Sequence, residues 1–252
     1  MYDVMKSACG LFFSFVCFSG STFAIVPTLY QDPEQHFTAE IEVGFQLNTG
    51  NNSATSFNGR TNLVYDTNSA KQEVTVRGFF ASDSERTTSE KYELNLQSNY
   101  KLSSGYVFAQ SDYVRDRYGS YTKLATISSG YGFDAIDTKK AKLSLELSPG
   151  YRYNLPIETD VVPVPQSNTD TILRTAARFS YKMHEYTSFT ADLTAENGAE
   201  NNTLTLDTSY KNLMFKDWAF KVGINIKYTD VVPEGSKRTD TVTTFNLLYT
   251  FE

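Results

Sequence analysis

The chain has 252 residues, a formal net charge of -6, two cysteines and two histidines. That length accommodates one large all-β domain or two small ones, and an acidic chain is not expected to bind nucleic acid. Cys9 and Cys17 both fall in the first apolar run, which leaves no thiol for a disulfide or a cysteine metal site in the rest of the chain.

That first run, Leu11-Phe12-Phe13-Ser14-Phe15-Val16-Cys17-Phe18, comes after Lys6 and leads into Ser19-Gly20-Ser21-Thr22-Phe23-Ala24. A charged start, a short apolar core and a small-residue exit describe a secretory signal peptide, and the core is too short for a permanent membrane helix. We therefore expect residues 1–24 to be a signal cleaved after Ala24 and residues 25–36 to be a short periplasmic lead. No later segment is long and apolar enough for a membrane helix, so a membrane-spanning form requires a closed barrel.

From Phe37 the hydrophobic period is two. Phe37, Ala39, Ile41, Val43, Phe45 and Leu47 alternate with polar or small residues, as do Tyr92-Leu94-Leu96 with Glu93-Asn95-Gln97 and Leu143-Leu145-Leu147 with Ser144-Glu146-Ser148. Trp218, Phe220, Val222, Ile224, Ile226 and Tyr228 repeat the pattern near the end. Alternation of this length indicates strands with one apolar and one polar face. Runs are expected at 37–48, 55–66, 72–82, 88–102, 105–116, 121–134, 140–154, 170–183, 186–196, 202–211, 217–229 and 239–251. Strands of soluble sandwiches are commonly five or six residues, whereas these match the roughly ten needed to cross a bilayer.

The expected fold is thus all-β: a single transmembrane antiparallel up-and-down β-barrel of about twelve strands over residues 37–252. An even strand count puts both ends of the barrel on the periplasmic side. The short connections Leu102-Ser103-Ser104-Gly105, Asp137-Thr138-Lys139-Lys140 and Met183-His184-Glu185 then fall there too. The long stretches 154–170 and 229–239, with Pro156, Pro163, Pro165 and Pro233, fall outside, as barrels of the outer membrane require. Tyr65, Tyr92, Tyr100, Tyr151, Tyr153, Tyr181, Tyr210, Tyr228 and Tyr249 stand near strand ends, where two interfacial girdles are expected. Pro149-Gly150, inside the seventh run, predicts a bulge or a bend. The last run, Thr243 to Phe251, keeps alternate apolar residues, resembling the C-terminal signal of outer-membrane assembly, although Glu252 displaces the aromatic from the end.

Five motifs in order resemble one family. They are Thr49-Gly50-Asn51, Ser89-Glu90-Lys91-Tyr92, Asp116-Arg117-Tyr118-Gly119-Ser120-Tyr121, Gly130-Tyr131-Gly132 and Pro149-Gly150-Tyr151-Arg152-Tyr153. Together they are similar to the YdiY-like proteins, a family described as salt-induced outer-membrane proteins of unknown function. The resemblance implies a single outer-membrane barrel and no established substrate.

Little in the sequence suggests catalysis. His36 precedes the first strand and His184 sits in a periplasmic turn beside Glu185, away from the outer rim where a general base of a barrel enzyme is needed. No phosphate loop, zinc spacing or calcium loop is evident, and no cofactor or metal is expected. Apolar faces toward lipid leave Arg60, Arg77, Glu93, Glu146, Arg152, Arg174, Arg178, Asp192 and Asp207 as the residues expected to line the lumen, with Glu40, Glu42, Asp112, Lys182, Lys221 and Lys227. Two readings compete: a selective pore lined by arginine, or acids and bases paired across neighbouring strands. The mixed signs favour pairing, since an ion-selective channel shows rings of one sign. Thr159-Asp160-Val161-Val162-Pro163 recurs as Thr229-Asp230-Val231-Val232-Pro233, a lid pair or a chance repeat.

The sequence therefore indicates a non-enzymatic protein of the bacterial outer membrane, either a narrow channel or a structural envelope component. Its expected partners are outer-membrane lipids and, during biogenesis, periplasmic chaperones and the outer-membrane assembly machinery. The rival classes are an outer-membrane enzyme and a soluble periplasmic β-barrel that binds a small ligand.

Overall fold

The computed structural model describes residues 37–49, 55–82, 87–119, 121–158, 165–232 and 237–251. The signal and lead expected over 1–36, His36, and the first Thr-Asp-Val-Val-Pro copy lie outside the described residues. The strands are β1 (Phe37–Thr49), β2 (Thr55–Asp66), β3 (Ala70–Ser82), β4 (Thr87–Leu102), β5 (Gly105–Asp116), β6 (Tyr121–Asp137), β7 (Ala141–Pro156), β8 (Asn168–His184), β9 (Thr187–Gly198), β10 (Asn202–Leu213), β11 (Trp218–Thr229) and β12 (Thr239–Phe251). Each pairs antiparallel with its chain neighbour, and β1 closes on β12, with Glu42 opposite Leu248. Closure leaves no edge strand among the described residues.

The two ends differ. The connections 67–69, 103–104, 138–140, 185–186 and 214–217 share one end with Phe37 and Phe251, and the longer 157–167 and 230–238 lie at the other. We call these the short-loop and long-loop ends. At the short-loop end the β4–β5 turn depends on Gly105, whose φ of +145° L side chains rarely adopt, and Tyr131 Oη donates to Ser104 O at 2.6 Å. At the long-loop end the Asp116 carboxylate accepts from the N–H groups of Tyr118 (3.1 Å) and Gly119 (2.8 Å), so an aspartate-capped turn starts the β5–β6 connection.

Alternation along each strand turns the usual core inside out. Ile41, Val43, Phe45, Leu96, Ile127, Leu147, Leu173, Leu193, Leu204, Ile224 and Leu247 are exposed on the outer wall. Glu42, Ser148, Arg152, Glu146 and Arg174 are buried inside it. Two rows of outward tyrosines flank the apolar band. Tyr65, Tyr100, Tyr181 and Tyr210 stand toward the short-loop end, and Tyr92, Tyr153 and Tyr228 toward the other.

One expectation is corrected. There is no bulge at Pro149-Gly150: Pro149 pairs with Leu173 and Gly150 with Ile172 in unbroken register. On the other side, pairing with β6 passes from Ser128–Gly150 to Tyr131–Leu147 without a shift, a gap that suits a residue lacking an N–H. Gly150 is needed for close approach instead, since a Cβ there would lie 2.5 Å from Ile127 O and 2.7 Å from Ser128 Cβ. The irregularities of the β6–β7 pair fall at Tyr121/Lys123 and Asp134/Ile136.

The outward and inward faces predict opposite tolerance of charge. Ile224→Arg, near the middle of β11 on the outer wall, should cost about 2–4 kcal/mol in reversible unfolding from lipid vesicles. Asn225→Arg, one residue on and facing the lumen, should cost clearly less. Equal costs would mean that the faces are misassigned.

Candidate functional site: the charged lumen

Antiparallel register puts chemically complementary residues side by side inside the barrel. Glu42, Arg60, Arg77 and Glu93 form one row across β1, β2, β3 and β4. The two central arginines would repel, but each has an acid on its outer side. Arg60 Nη1 lies 2.9 Å from Glu42 Oε1 and Arg77 Nη1 lies 3.5 Å from Glu93 Oε2. Glu42 is the hub, 2% exposed, and also takes Lys221 Nζ at 2.8 Å and Asn246 Nδ2 at 2.8 Å.

A second hub forms at Glu146 on β7. Directly opposite on β8 is Ala176, so the flanking Arg174 and Arg178 reach it diagonally. Their guanidinium nitrogens lie 3.2 and 3.3 Å from Glu146 Oε2. The other oxygen accepts from Gln97 Nε2 at 3.0 Å and Tyr106 Oη at 2.9 Å. Tyr106, Gly132 and Glu146 lie in one row on β5, β6 and β7. A Cβ on Gly132 would fall 2.5 Å from the Tyr106 ring, so the bare glycine lets the phenol cross β6 to the carboxylate. Three hydrogen bonds, from Arg174, Gln97 and Tyr106, and the ion pair with Arg178 offset the cost of burying this carboxylate.

Two contacts tie distant walls of the bore together. Arg178 Nη2 donates to Gln97 Oε1 at 2.7 Å, joining β8 to β4 with three strands between them. Arg77 Nη1 approaches Asp207 Oδ2 at 3.8 Å, joining β3 to β10 with four strands between. Asp207 itself stands directly opposite Asp192, and Asp192 stands opposite Arg178.

Two cavities adjoin at this level. One cavity of about 610 Å³ extends to the long-loop end, lined among others by Glu93, Asp112, Arg152, Arg174 and Glu196. A second of about 350 Å³ lies nearer the short-loop end, with Glu40, Lys142, Ser144, Lys211 and Lys221 in its wall. Arg60, Arg77, Arg178, Asp192 and Asp207 line both, so these five lie where the two cavities adjoin. All nine lumen candidates from the sequence have inward parity. The structure brings Glu146, Arg174 and Arg178 into one cluster, and Arg77, Glu93 and Asp207 into another.

Arg152 belongs to a third group near the long-loop end. It is 3% exposed, and it lies 3.3 Å from both Asp170 and Glu196 and donates to Asn201 O at 2.5 Å. Asn201 in turn holds Val231, accepting from its N–H at 3.0 Å and donating to its carbonyl at 2.9 Å. Tyr121 Oη, at the start of β6, reaches the same carbonyl at 3.3 Å. The start of the 230–238 connection is thereby pinned across the mouth. The second Thr-Asp-Val-Val-Pro copy has this anchoring role at Val231.

Sequence reasoning missed Gln97, Tyr106 and Asn246 as ligands of the two glutamates, and it missed Asn201. Inward parity marks the first three, but neutral side chains carry no charge signal. Asn201 lies in a connection, where parity says nothing. His184 ends β8, exposed, with its ring 6.1 Å from that of Tyr186.

A closed barrel with an apolar outer wall and a charged lumen can be set beside known proteins. The family model described as Protein of unknown function, DUF481, matches residues 41–251, from the first strand to the last. The chain belongs to this family. The uncharacterized protein YdiY of Escherichia coli (strain K12) is 23% identical over 227 residues, spanning 88% of this chain and 87% of that protein. Among solved structures, the NanC porin superposes with a TM-score of 0.54 at 12% identity, over 83% of this chain and 98% of that one. An outer-membrane channel from Pseudomonas putida F1 gives 0.51 at 12% identity, over 88% and 100%. The translocator domain of the autotransporter NalP from Neisseria meningitidis gives 0.55 at 10%, over 88% and 90%. At these identities the shared property is the outer-membrane barrel fold.

The glutamate hubs carry a stability prediction. Glu146→Ala leaves the buried Arg174 beside the half-buried Arg178 without their acid, and should cost about 3–5 kcal/mol in reversible unfolding. The double change Glu146→Ala/Arg174→Ala should recover part of that loss. A single variant as stable as the parent would show that the hub does not hold the lumen together.

Proposed function

We propose that this protein is a non-enzymatic channel of the bacterial outer membrane, narrow and closed at rest, for small polar solutes. The observation that supports the reading is that two polar cavities enter the barrel and adjoin at one layer, Arg60, Arg77, Arg178, Asp192 and Asp207, which in this reading acts as a partition. A barrel of eight strands is filled by its side chains and one of sixteen leaves an aqueous channel; at twelve, long charged side chains decide the bore. The apolar outer wall, with exposed Ile127, Leu147 and Ile224, suits lipid and speaks against a soluble ligand-binding barrel. An enzymatic reading lacks a described histidine in the lumen, since the exposed His184 ends β8 beside the short connection 185–186.

In this reading residues 1–24 are the export signal, the short-loop end faces the periplasm and the long-loop end faces outward. The alternating last strand, Thr239–Phe251, is what the assembly machinery would recognise after periplasmic chaperones deliver the chain. The mixed signs of the partition disfavour strong ion selectivity. A second reading, a structural envelope component, draws support from the Arg178–Gln97 and Arg77–Asp207 contacts that brace opposite walls.

Fractionation tests the location: the protein should accompany the outer membrane and show heat-modifiable gel mobility, and recovery in the soluble periplasmic fraction would refute it. Bilayer recordings then separate channel from brace. The parent protein should give small or rare openings, and Arg77→Ala/Arg178→Ala should enlarge the conductance step. Asn201→Ala, which frees Val231 at the mouth, should raise opening frequency while leaving step size unchanged. Large steady steps from the parent would refute closure by the partition, and silence from every variant would favour the structural reading.

A further inference from the structure

Cations on these strands face the lumen with two exceptions among the described residues. Arg115 on β5 and Lys123 on β6 have outward parity, are exposed, and stand directly opposite one another. Like charges facing each other across an antiparallel pair are destabilising. Inside the barrel such clashes are relieved by acids, as Glu42 and Glu146 show, but neither Arg115 nor Lys123 has an ion pair or side-chain hydrogen bond among the described residues. Glu90 on β4, whose carbonyl accepts from Arg117 N–H, has its carboxylate 3.4 Å from Arg117 and is engaged there. Asp116, the residue between Arg115 and Arg117, turns into the wall of the larger cavity.

Their height on the outer wall is set by the register. Tyr92, Arg115, Lys123 and Leu155 form one row across β4, β5, β6 and β7. Two residues nearer the middle, the next row is Leu94, Tyr113, Ala125 and Tyr153. Exposed Tyr113 and Tyr153 mark the boundary between hydrocarbon and headgroups. Two cations just beyond that boundary, at the long-loop end, sit at the depth of lipid phosphates. An arginine fork beside an ammonium matches a phosphate's oxygens in geometry as well as charge.

We propose that Arg115 and Lys123 form a binding site on the outer wall for the anionic phosphate of a lipid headgroup in the leaflet at the long-loop end. The bound phosphate supplies the negative charge that this cation pair lacks. The site rests on the membrane reading above, in which the outer wall meets lipid.

The test uses the refolded chain inserted into phosphatidylcholine vesicles with or without phosphatidic acid, then released in mild detergent for native mass spectrometry. Insertion is scored separately, by heat-modifiable mobility. The parent should retain phosphatidic acid in preference to phosphatidylcholine. An interfacial cation is worth about a fivefold preference for an anionic lipid, so Arg115→Ala/Lys123→Ala should lower retention roughly thirtyfold. Arg115→Lys should keep most of it, and excess inorganic phosphate should not displace the lipid. Equal retention by the parent and the inserted double variant would overturn the site, and displacement by inorganic phosphate would make it a free-anion site instead. Failure of the parent to insert at all would overturn the membrane reading, and the lipid site with it.

Discussion

A strand in hydrocarbon has no water to satisfy its N–H and C=O groups, and each group left unpaired costs several kcal/mol. Every other feature of this barrel depends on meeting that requirement, and the β1–β12 ladder is where it is met, from Ala39–Phe251 to Thr49–Thr241. The same ladder sets parity around the whole circumference. With Glu42 inside, opposite Arg60 on one side and Leu248 on the other, each neighbouring strand inherits an inward set. A slip of one residue would exchange the faces, moving buried carboxylates into lipid and Ile41 and Val43 into the lumen.

A polar interior of this width raises a packing problem that small barrels avoid. The solution here is a pair of buried glutamates, each serving two cations: Glu42 holds Arg60 and Lys221, and Glu146 holds Arg174 and Arg178. Small residues on β6 and β7 make room for the second cluster. Gly132 admits the Tyr106 ring, and Gly150 allows close approach to Ile127 and Ser128. Buried ion pairs contribute little net stability compared with apolar packing, but removing one partner is costly. The shape of the bore and the stability of the barrel therefore rest on the same side chains.

The two rims are built differently. Connections at the short-loop end are brief and close with backbone bonds, as in Thr67 N–H to Ala70 O and Thr138 N–H to Ala141 O. At the long-loop end, backbone bonds such as Thr229 N–H to Arg238 O and Asp230 N–H to Asn202 O are reinforced by buried side chains: Arg152 holds Asn201, and Asn201 holds Val231. Each of these side-chain bonds joins a side chain to a backbone group, with Arg152 and Asn201 buried, so leaving any of them unmade would be costly.

The barrel itself was legible in the chain. Strict alternation is a property of the one-dimensional order, because successive side chains on a strand point to opposite faces. From Phe37–Thr49 to Thr239–Phe251 the strands lie within a few residues of the alternating runs. The same parity separates Arg174 and Arg178 from Leu173 and Ala177. Of the bulge or bend that residue type suggested at Pro149-Gly150, the bulge is absent. Crowding from β6 inside the barrel was the reason for Gly150, and no local pattern reports a neighbour's backbone. The partners of each charge were likewise beyond the sequence. Parity says that Glu146 and Gln97 both face inward, but their meeting depends on where the closed wall curves and how far each side chain reaches. The sequence by itself determined which residues enter the lumen, because that depends on alternation alone. Only the tertiary structure decided that Arg60, Arg77, Arg178, Asp192 and Asp207 share one level, because strand tilt and ladder register combine to set height in a closed barrel.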